Sequence, residues 1–91
     1  MAYSIIYHPD VKDDIKKFDS KIKQRVQDAI EQRLSTEPEK YGKPLRKSLK
    51  GFWKLRVGDI RIVFKILKSE IVVLAILNRK EVYERINKRI E

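Results

Sequence analysis

Lys54, Arg56 and Arg61 are the residues of this chain best spaced to act on a phosphate. They lie within Leu49 to Phe64, where Trp53, Leu55 and Val57 alternate with Lys54 and Arg56, Gly58 and Asp59 supply a tight turn, and Arg61 opens the returning run. Successive side chains of a strand point to opposite faces. The pattern therefore predicts a β-hairpin with an apolar face turned to a core and cations in a row on the other face. Such a row suits a phosphate backbone.

The rest of the catalytic repertoire is thin. Metal-assisted hydrolysis calls for several converging carboxylates, and Asp59 is the only acid between Lys40 and Lys68. An imidazole acid–base pair needs two histidines, whereas His8 is the single one and sits beside Pro9. Lysine, arginine and tyrosine remain. That set can still cleave RNA if the substrate supplies its own 2′-hydroxyl as nucleophile and the protein stabilises charge on the phosphorane-like transition state.

The charge distribution agrees. The net charge is +9, yet residues 1 to 42 hold 8 basic and 8 acidic groups. Residues 43 to 61 hold 7 basic groups (Lys43, Arg46, Lys47, Lys50, Lys54, Arg56, Arg61) against Asp59, and residues 62 to 91 hold 7 against 4. The excess begins where the strands begin, as expected for a polyanionic partner; a lysine-rich solvated surface would give the same composition. With 91 residues the chain is expected to form a single domain, 1–91, around one modest core. It has no cysteine, which removes disulfides and thiolate metal sites. The longest apolar run, Ile71 to Leu77, is too short to span a bilayer, and no secretory signal pattern opens the chain, so a cytoplasmic protein without membrane contact is expected.

The elements that must position the hairpin can be read from periodicity. Tyr3, Ile5 and Tyr7 alternate as a first strand, and Val11, Ile15 and Phe18 mark one face of a short helix from about Pro9. From Ser20, the stripe Ile22, Val26, Ala29, Ile30 and Leu34 predicts a second helix. Its charges balance, which assigns the helical pair to scaffold. Pro38, Gly42 and Pro44 mark a connection. Strands follow over about 52–57, 60–67 and 71–77, joined by links short enough to force antiparallel neighbours. The last strand, apolar throughout, is expected at the sheet centre. A closing helix from Lys80 presents Val82, Ile86 and Ile90. The fold class is α+β: an N-terminal strand and two-helix hairpin, an antiparallel sheet of about four strands, and a short C-terminal helix.

Two motifs and this order of elements resemble the RelE/ParE superfamily of toxins from toxin–antitoxin systems, over essentially the whole chain. The first is the hairpin Trp53-Lys54-Leu55-Arg56-Val57-Gly58-Asp59-Ile60-Arg61-Ile62-Val63-Phe64; the second is Arg79-Lys80-Glu81-Val82-Tyr83. The resemblance implies a ribosome-dependent mRNA interferase, a metal-independent endoribonuclease without cofactor that cuts the message in the A site by 2′-hydroxyl attack. It implies Lys54 as general base and Arg61 as transition-state stabiliser. Arg79 would hold the scissile phosphate or protonate the leaving group, and Tyr83 would stack on a base and orient the 2′-hydroxyl. Lys47, Lys50 and Arg56 are expected as RNA contacts, and Phe52 either stacks on RNA or shields Lys54 from water. The implied partners are the ribosome, mRNA and an acidic antitoxin; the toxin would be a monomer alone and part of a hetero-oligomer with the antitoxin.

The chemistry constrains these roles. Arginine effectively never deprotonates, so Lys54 is the base or there is none among the cations. A lysine base working near pH 7 must come down from about 10.4, roughly 4 to 5 kcal/mol, within the range known for desolvated or charge-crowded lysines. A Lys54 that stays protonated would grip phosphate instead. The sequence departs from the RNA-cleaving pattern at Phe52, where such members carry a further lysine, and at Asn78, where relatives often have histidine. ParE-type toxins directed at DNA gyrase share the superfamily resemblance but generally lack this basic set, and are the alternative reading.

Overall fold

The computed structural model describes residues 3–46 and 49–90, apart from the side chains of Tyr83, Asn87 and Ile90. The chain runs β1 (Ser4–Tyr7), α1 (Val11–Ile15), α2 (Ser20–Ala29), α3 (Pro38–Tyr41), β2 (Lys43–Pro44), β3 (Trp53–Val57), β4 (Ile60–Leu67), β5 (Glu70–Asn78) and α4 (Val82–Ile90). Asp19 starts α2 by accepting the Ile22 N–H at 2.9 Å, satisfying one of the donors a helix start leaves open. The helix goes on as a π-helical turn over Ile30–Leu34, so that the predicted stripe of Val26, Ala29, Ile30 and Leu34 is buried on one face.

The sheet has five strands in the order β1-β5-β4-β3-β2. The hairpin forms as expected: Gly58 takes φ +61, a left-handed turn conformation suited to glycine, and Arg56 pairs with Arg61 and Lys54 with Val63. One face of the sheet, with Leu55, Ile62, Phe64, Ile71 and Val73, packs under α2; Trp53 belongs to this core and its ring stacks on Phe64 at 6.5 Å between centroids. The other face carries a second core, in which Val63, Ala75 and Leu77 are covered by Val82 and Ile86 of α4 and by Leu45 and Leu49. Gly42 closes the far end of the first core. A Cβ there would lie 2.6 Å from the Phe64 ring, so only glycine lets the connection lie so close.

The α+β fold and its element order are those expected, with three differences of detail. β1 pairs in parallel with β5, because α1 and α2 between them carry the chain across the sheet, and this places β1 at an edge rather than in an antiparallel ladder. The two-residue β2 brings the count to five. β4, not β5, is the middle strand; the Ile71 to Leu77 stretch of β5 is apolar because α1 packs on one side of it and α4 on the other. β5 also has one residue more than β4 can match: Val63 pairs with Ala75 and Phe64 with Val73, leaving Leu74 as a bulge. No helix among the described residues is long and apolar enough to cross a membrane.

Candidate active site

Directly opposed residues of neighbouring strands share a face, and this fixes where the cations lie. Lys54 opposes Val63, and Arg61 opposes Leu77, both members of the core under α4; Arg56 opposes Arg61. The helix thus covers much of the β4–β5 half of its face and leaves β3, with the start of β4, to Lys54, Arg56 and Arg61. Lys54 and Arg61 are half-buried there and Arg56 is exposed. Two residues of strand rise, about 6.5 Å, separate Lys54 from Arg56.

Arg61 is held rather than loose. Its Nη1 donates to the Gly58 carbonyl at 2.8 Å and to the Ile60 carbonyl at 3.2 Å, folding the side chain over the turn. Arg79 is brought to the same end by its backbone N–H, which donates to the Asp59 carbonyl at 3.1 Å and ties the exit of β5 to the hairpin turn. Loss of solvent, then the charges of Arg56 and Arg79, pull the Arg61 guanidinium below its ordinary value, with Asp59 opposing. Three guanidinium groups therefore share one small region with a single carboxylate beside them. A dianionic phosphorane would relieve that repulsion.

At the other end of β3, Lys43 of β2 is the cross-strand partner of Lys54, and with Arg46 these two lysines line a groove of about 500 Å³ that, among the described residues, no acidic side chain lines. Lys43 and Arg46 were visible in the sequence only as charge; the pairing of a two-residue strand, which no periodicity announces, makes them neighbours of Lys54. Lys65 is a further cation on this face, two alternations beyond Arg61, and its Nζ lies 5.7 Å over the Phe52 ring. Phe52 itself packs against the core under α4, so its ring supports Lys65 and that core. Lys50 is exposed on the turn before β3 and lines neither the groove nor the arginine cluster. Lys47 lies outside the described residues, as does the side chain of Tyr83, whose backbone belongs to the first turn of α4. Asn78 is exposed and accepts the Lys80 N–H at 3.2 Å, shaping the loop that carries Arg79. Among the described residues no group of three or more His, Asp or Glu side chains is gathered to hold a metal ion.

A mixed five-stranded sheet with helices on both faces is the fold of the RelE-like toxins. A family model described as the ParE toxin of a type II toxin–antitoxin system, parDE, matches residues 5–83, and the chain belongs to that family. Over 87 residues it is 30% identical to toxin RelG of Mycobacterium tuberculosis, covering 93% of this chain and 100% of that one. It is also similar to a chain of the toxin–antitoxin complex RelBE2 of M. tuberculosis, with TM-score 0.78 and 28% identity over 87% of this chain and 100% of that chain. The RelB–RelE antitoxin–toxin complex of Methanococcus jannaschii matches at TM-score 0.68 and 21% identity, over 88% and 96% of the two chains, a likeness of fold.

Proposed function

We propose that this toxin is a ribosome-dependent endoribonuclease that cuts mRNA in the A site by 2′-hydroxyl attack, without a metal ion. The observation that carries the reading is the meeting of Arg56, Arg61 and Arg79 on one open face with Lys54 on the same strand as Arg56. Lys54 takes the proton of the 2′-hydroxyl, the 2′-oxygen attacks the adjacent phosphorus, and the bond to the 5′-oxygen breaks as that oxygen takes a proton from solvent, leaving a 2′,3′-cyclic phosphate and a 5′-hydroxyl. Arg61 donates to the equatorial oxygens as charge builds on them, and its anchorage on the Gly58 carbonyl supports that role because a fixed donor reorganises little during reaction. Arg79 holds the scissile phosphate. Tyr83 stacks on a base, and Lys47, Lys50 and Arg56 hold neighbouring phosphates, with Phe52 supporting the face beside Lys54. The cations stabilise charge but cannot bend a flexible strand into line by themselves, so the ribosome supplies the orientation of the 2′-hydroxyl. A ribosomal target implies a cytoplasmic protein.

Purified protein added to translating ribosomes, with primer extension on the message, tests this: cuts in codon register are expected, ending in cyclic phosphate, and unaffected by chelators. Rapid cleavage of protein-free RNA at the same concentration would count against the ribosomal requirement. The family model is described as a ParE toxin, and that favours one second reading, a toxin directed at DNA gyrase. Supercoiling inhibited with the message left intact would establish it in place of the first.

An acidic antitoxin is the expected partner, since the relatives RelBE2 and RelB–RelE were solved as toxin–antitoxin complexes and this chain concentrates its positive charge after residue 42. Alone the toxin is a monomer; with the antitoxin it forms a hetero-oligomer in which a segment ordered on binding covers the Lys54–Arg61–Arg79 face or displaces α4.

A further inference from the structure

Beyond Trp53 and Lys54, the outer edge of β3 has no strand beside it among the described residues, since β2 pairs with those two alone. Helix α2 runs behind this edge and leaves a groove of about 330 Å³ lined by Arg25, Arg33 and Arg56, with Asp28 and Gln32. The Asp28 carboxylate accepts a hydrogen bond from Gln24 at 2.9 Å, so three guanidinium groups face one carboxylate already engaged on the helix. Arg25 reaches the turn from this side: a Cβ on Gly58 would lie 3.6 Å from its Nη2, while Arg61 grips the Gly58 carbonyl from the other side. At the far end the Arg33 guanidinium lies 5.9 Å over the ring of Tyr41, which is exposed.

We propose that this groove is a second phosphate-binding site, which takes the backbone of the same RNA strand away from the cleavage point. The inference rests on the RNA reading of the cationic face and extends it to α2. Arg56 is common to both places: its charge acts on Arg61 at the front, and its side chain lines the groove behind. A strand that crosses the front face and rounds the bare edge of β3 meets Arg25 and then Arg33 in turn, where Tyr41, with Lys40 also 5.5 Å over its ring, ends the groove. The charge balance of the helical pair hides this, because its acids and bases are segregated only by the packing of α2 against β3.

The test is the salt dependence of binding to a single-stranded RNA of about a dozen nucleotides, long enough to reach both places, measured by fluorescence anisotropy on the free toxin with a non-cleavable 2′-O-methyl backbone. Each phosphate contact contributes about 0.7 to the slope of log K against log salt. Replacing both arginines, Arg25→Gln with Arg33→Gln, is expected to lower that slope by about 1.4 and to weaken binding several-fold, while the pair Arg25→Lys with Arg33→Lys keeps the slope. Each single glutamine variant should lower it by about half as much, which covers the case in which the pair fails to fold. Removing two cations elsewhere, Lys16→Gln with Lys17→Gln just after α1, should leave the slope as in the parent. An arginine-to-glutamine pair with the parental slope overturns the second site, as does a lysine-to-glutamine pair that lowers the slope equally, for then net charge alone is read. Parental RNA binding with lost binding of an acidic peptide overturns it too, in favour of a protein contact. If the parent itself binds RNA without salt dependence, both this site and the RNA reading of the front face fall together.

Discussion

Arg89 of α4 holds Asp14 of α1 through both carboxylate oxygens, Nη2 to Oδ1 at 2.6 Å and Nη1 to Oδ2 at 2.8 Å, across 75 positions of sequence. The same carboxylate accepts the Ile76 N–H at 3.0 Å, and Arg89 also donates to the Leu74 carbonyl at 2.8 Å. β1 ends opposite Val73, so these two backbone groups lie on a length of β5 edge that no strand of the described residues covers. The acid takes the donor and the guanidinium serves the acceptor, as a longer β1 would have done. The bond to Asp14 is also the main cause holding the Arg89 pKa above its ordinary value, against the effect of burial.

Breaking this pair from one side should be severe, because both side chains are almost wholly withdrawn from water, at 9% and 3% exposure. Asp14→Ala or Arg89→Ala is expected to lose about 3 to 5 kcal/mol, read from urea denaturation. The double variant should lose less than the sum, since no buried charge is then left alone. Single variants within about 1 kcal/mol of the parent would show that the pair does not hold α4. An antitoxin that displaces α4 must break this pair as well as the Val82 and Ile86 contacts, and hydrogen exchange at Ile76 would report it.

Arg61→Ala should abolish RNA cleavage and leave the fold intact. Removing one transition-state donor costs about 3 to 4 kcal/mol, or two to three orders of magnitude in rate. Arg79→Ala should do likewise. Single-turnover cleavage on programmed ribosomes measures both, and either variant cutting at the parental rate would remove it from the active site.

Lys54 separates base from grip. Arginine keeps the charge and cannot give up its proton, so Lys54→Arg should bind RNA as tightly as the parent and cleave slowly if Lys54 is the base. Equal cleavage by Lys54→Arg would leave Lys54 as a phosphate contact only. Lys54→Ala should lose both properties.

The arginine cluster should weaken the fold that carries it. Arg56 and Arg61 are direct cross-strand partners of like charge, and the depressed Arg61 pKa means that the folded state binds its proton less well than the unfolded chain does. Ionised Arg61 is therefore destabilising at neutral pH, and the penalty would lift only as pH rises through its lowered value. Arg56→Gln is expected to stabilise the protein by roughly 0.2 to 1 kcal/mol and to weaken RNA binding. Thermal melts show the sign directly: a fall in Tm would mean that Arg56 contributes more through packing at the β3 edge than it costs in repulsion.

Much of the fold was legible because its signals are local. β4 spans Ile60–Leu67 as expected, since a glycine turn and a Lys-Ser link bound a largely apolar run. The α2 stripe and the cationic face of β3 follow from periods of 3.6 and 2 in the same way. What escaped depends on tertiary pairing. Asp14 and Arg89 each read as one more solvated charge on a helix, and nothing within a few residues of either points to the other. Lys43 meets Lys54 only through a two-residue strand, and Arg25 and Arg33 meet Arg56 only because α2 passes behind the edge of β3. The parallel pairing of β1 with β5 has no local signature, since alternation alone does not give strand direction.

The span between Asp14 and Arg89 also orders events in time. The hairpin carrying Arg56 and Arg61 closes over a five-residue separation and can form within microseconds of leaving the ribosome, whereas the joint between the first and last helices closes over 75 positions and must wait until residue 89 has been made. A nascent chain thus displays its cationic hairpin before its ends are locked together. During that interval an inhibitor synthesised nearby can take the Val63, Ala75 and Leu77 surface without first having to evict α4.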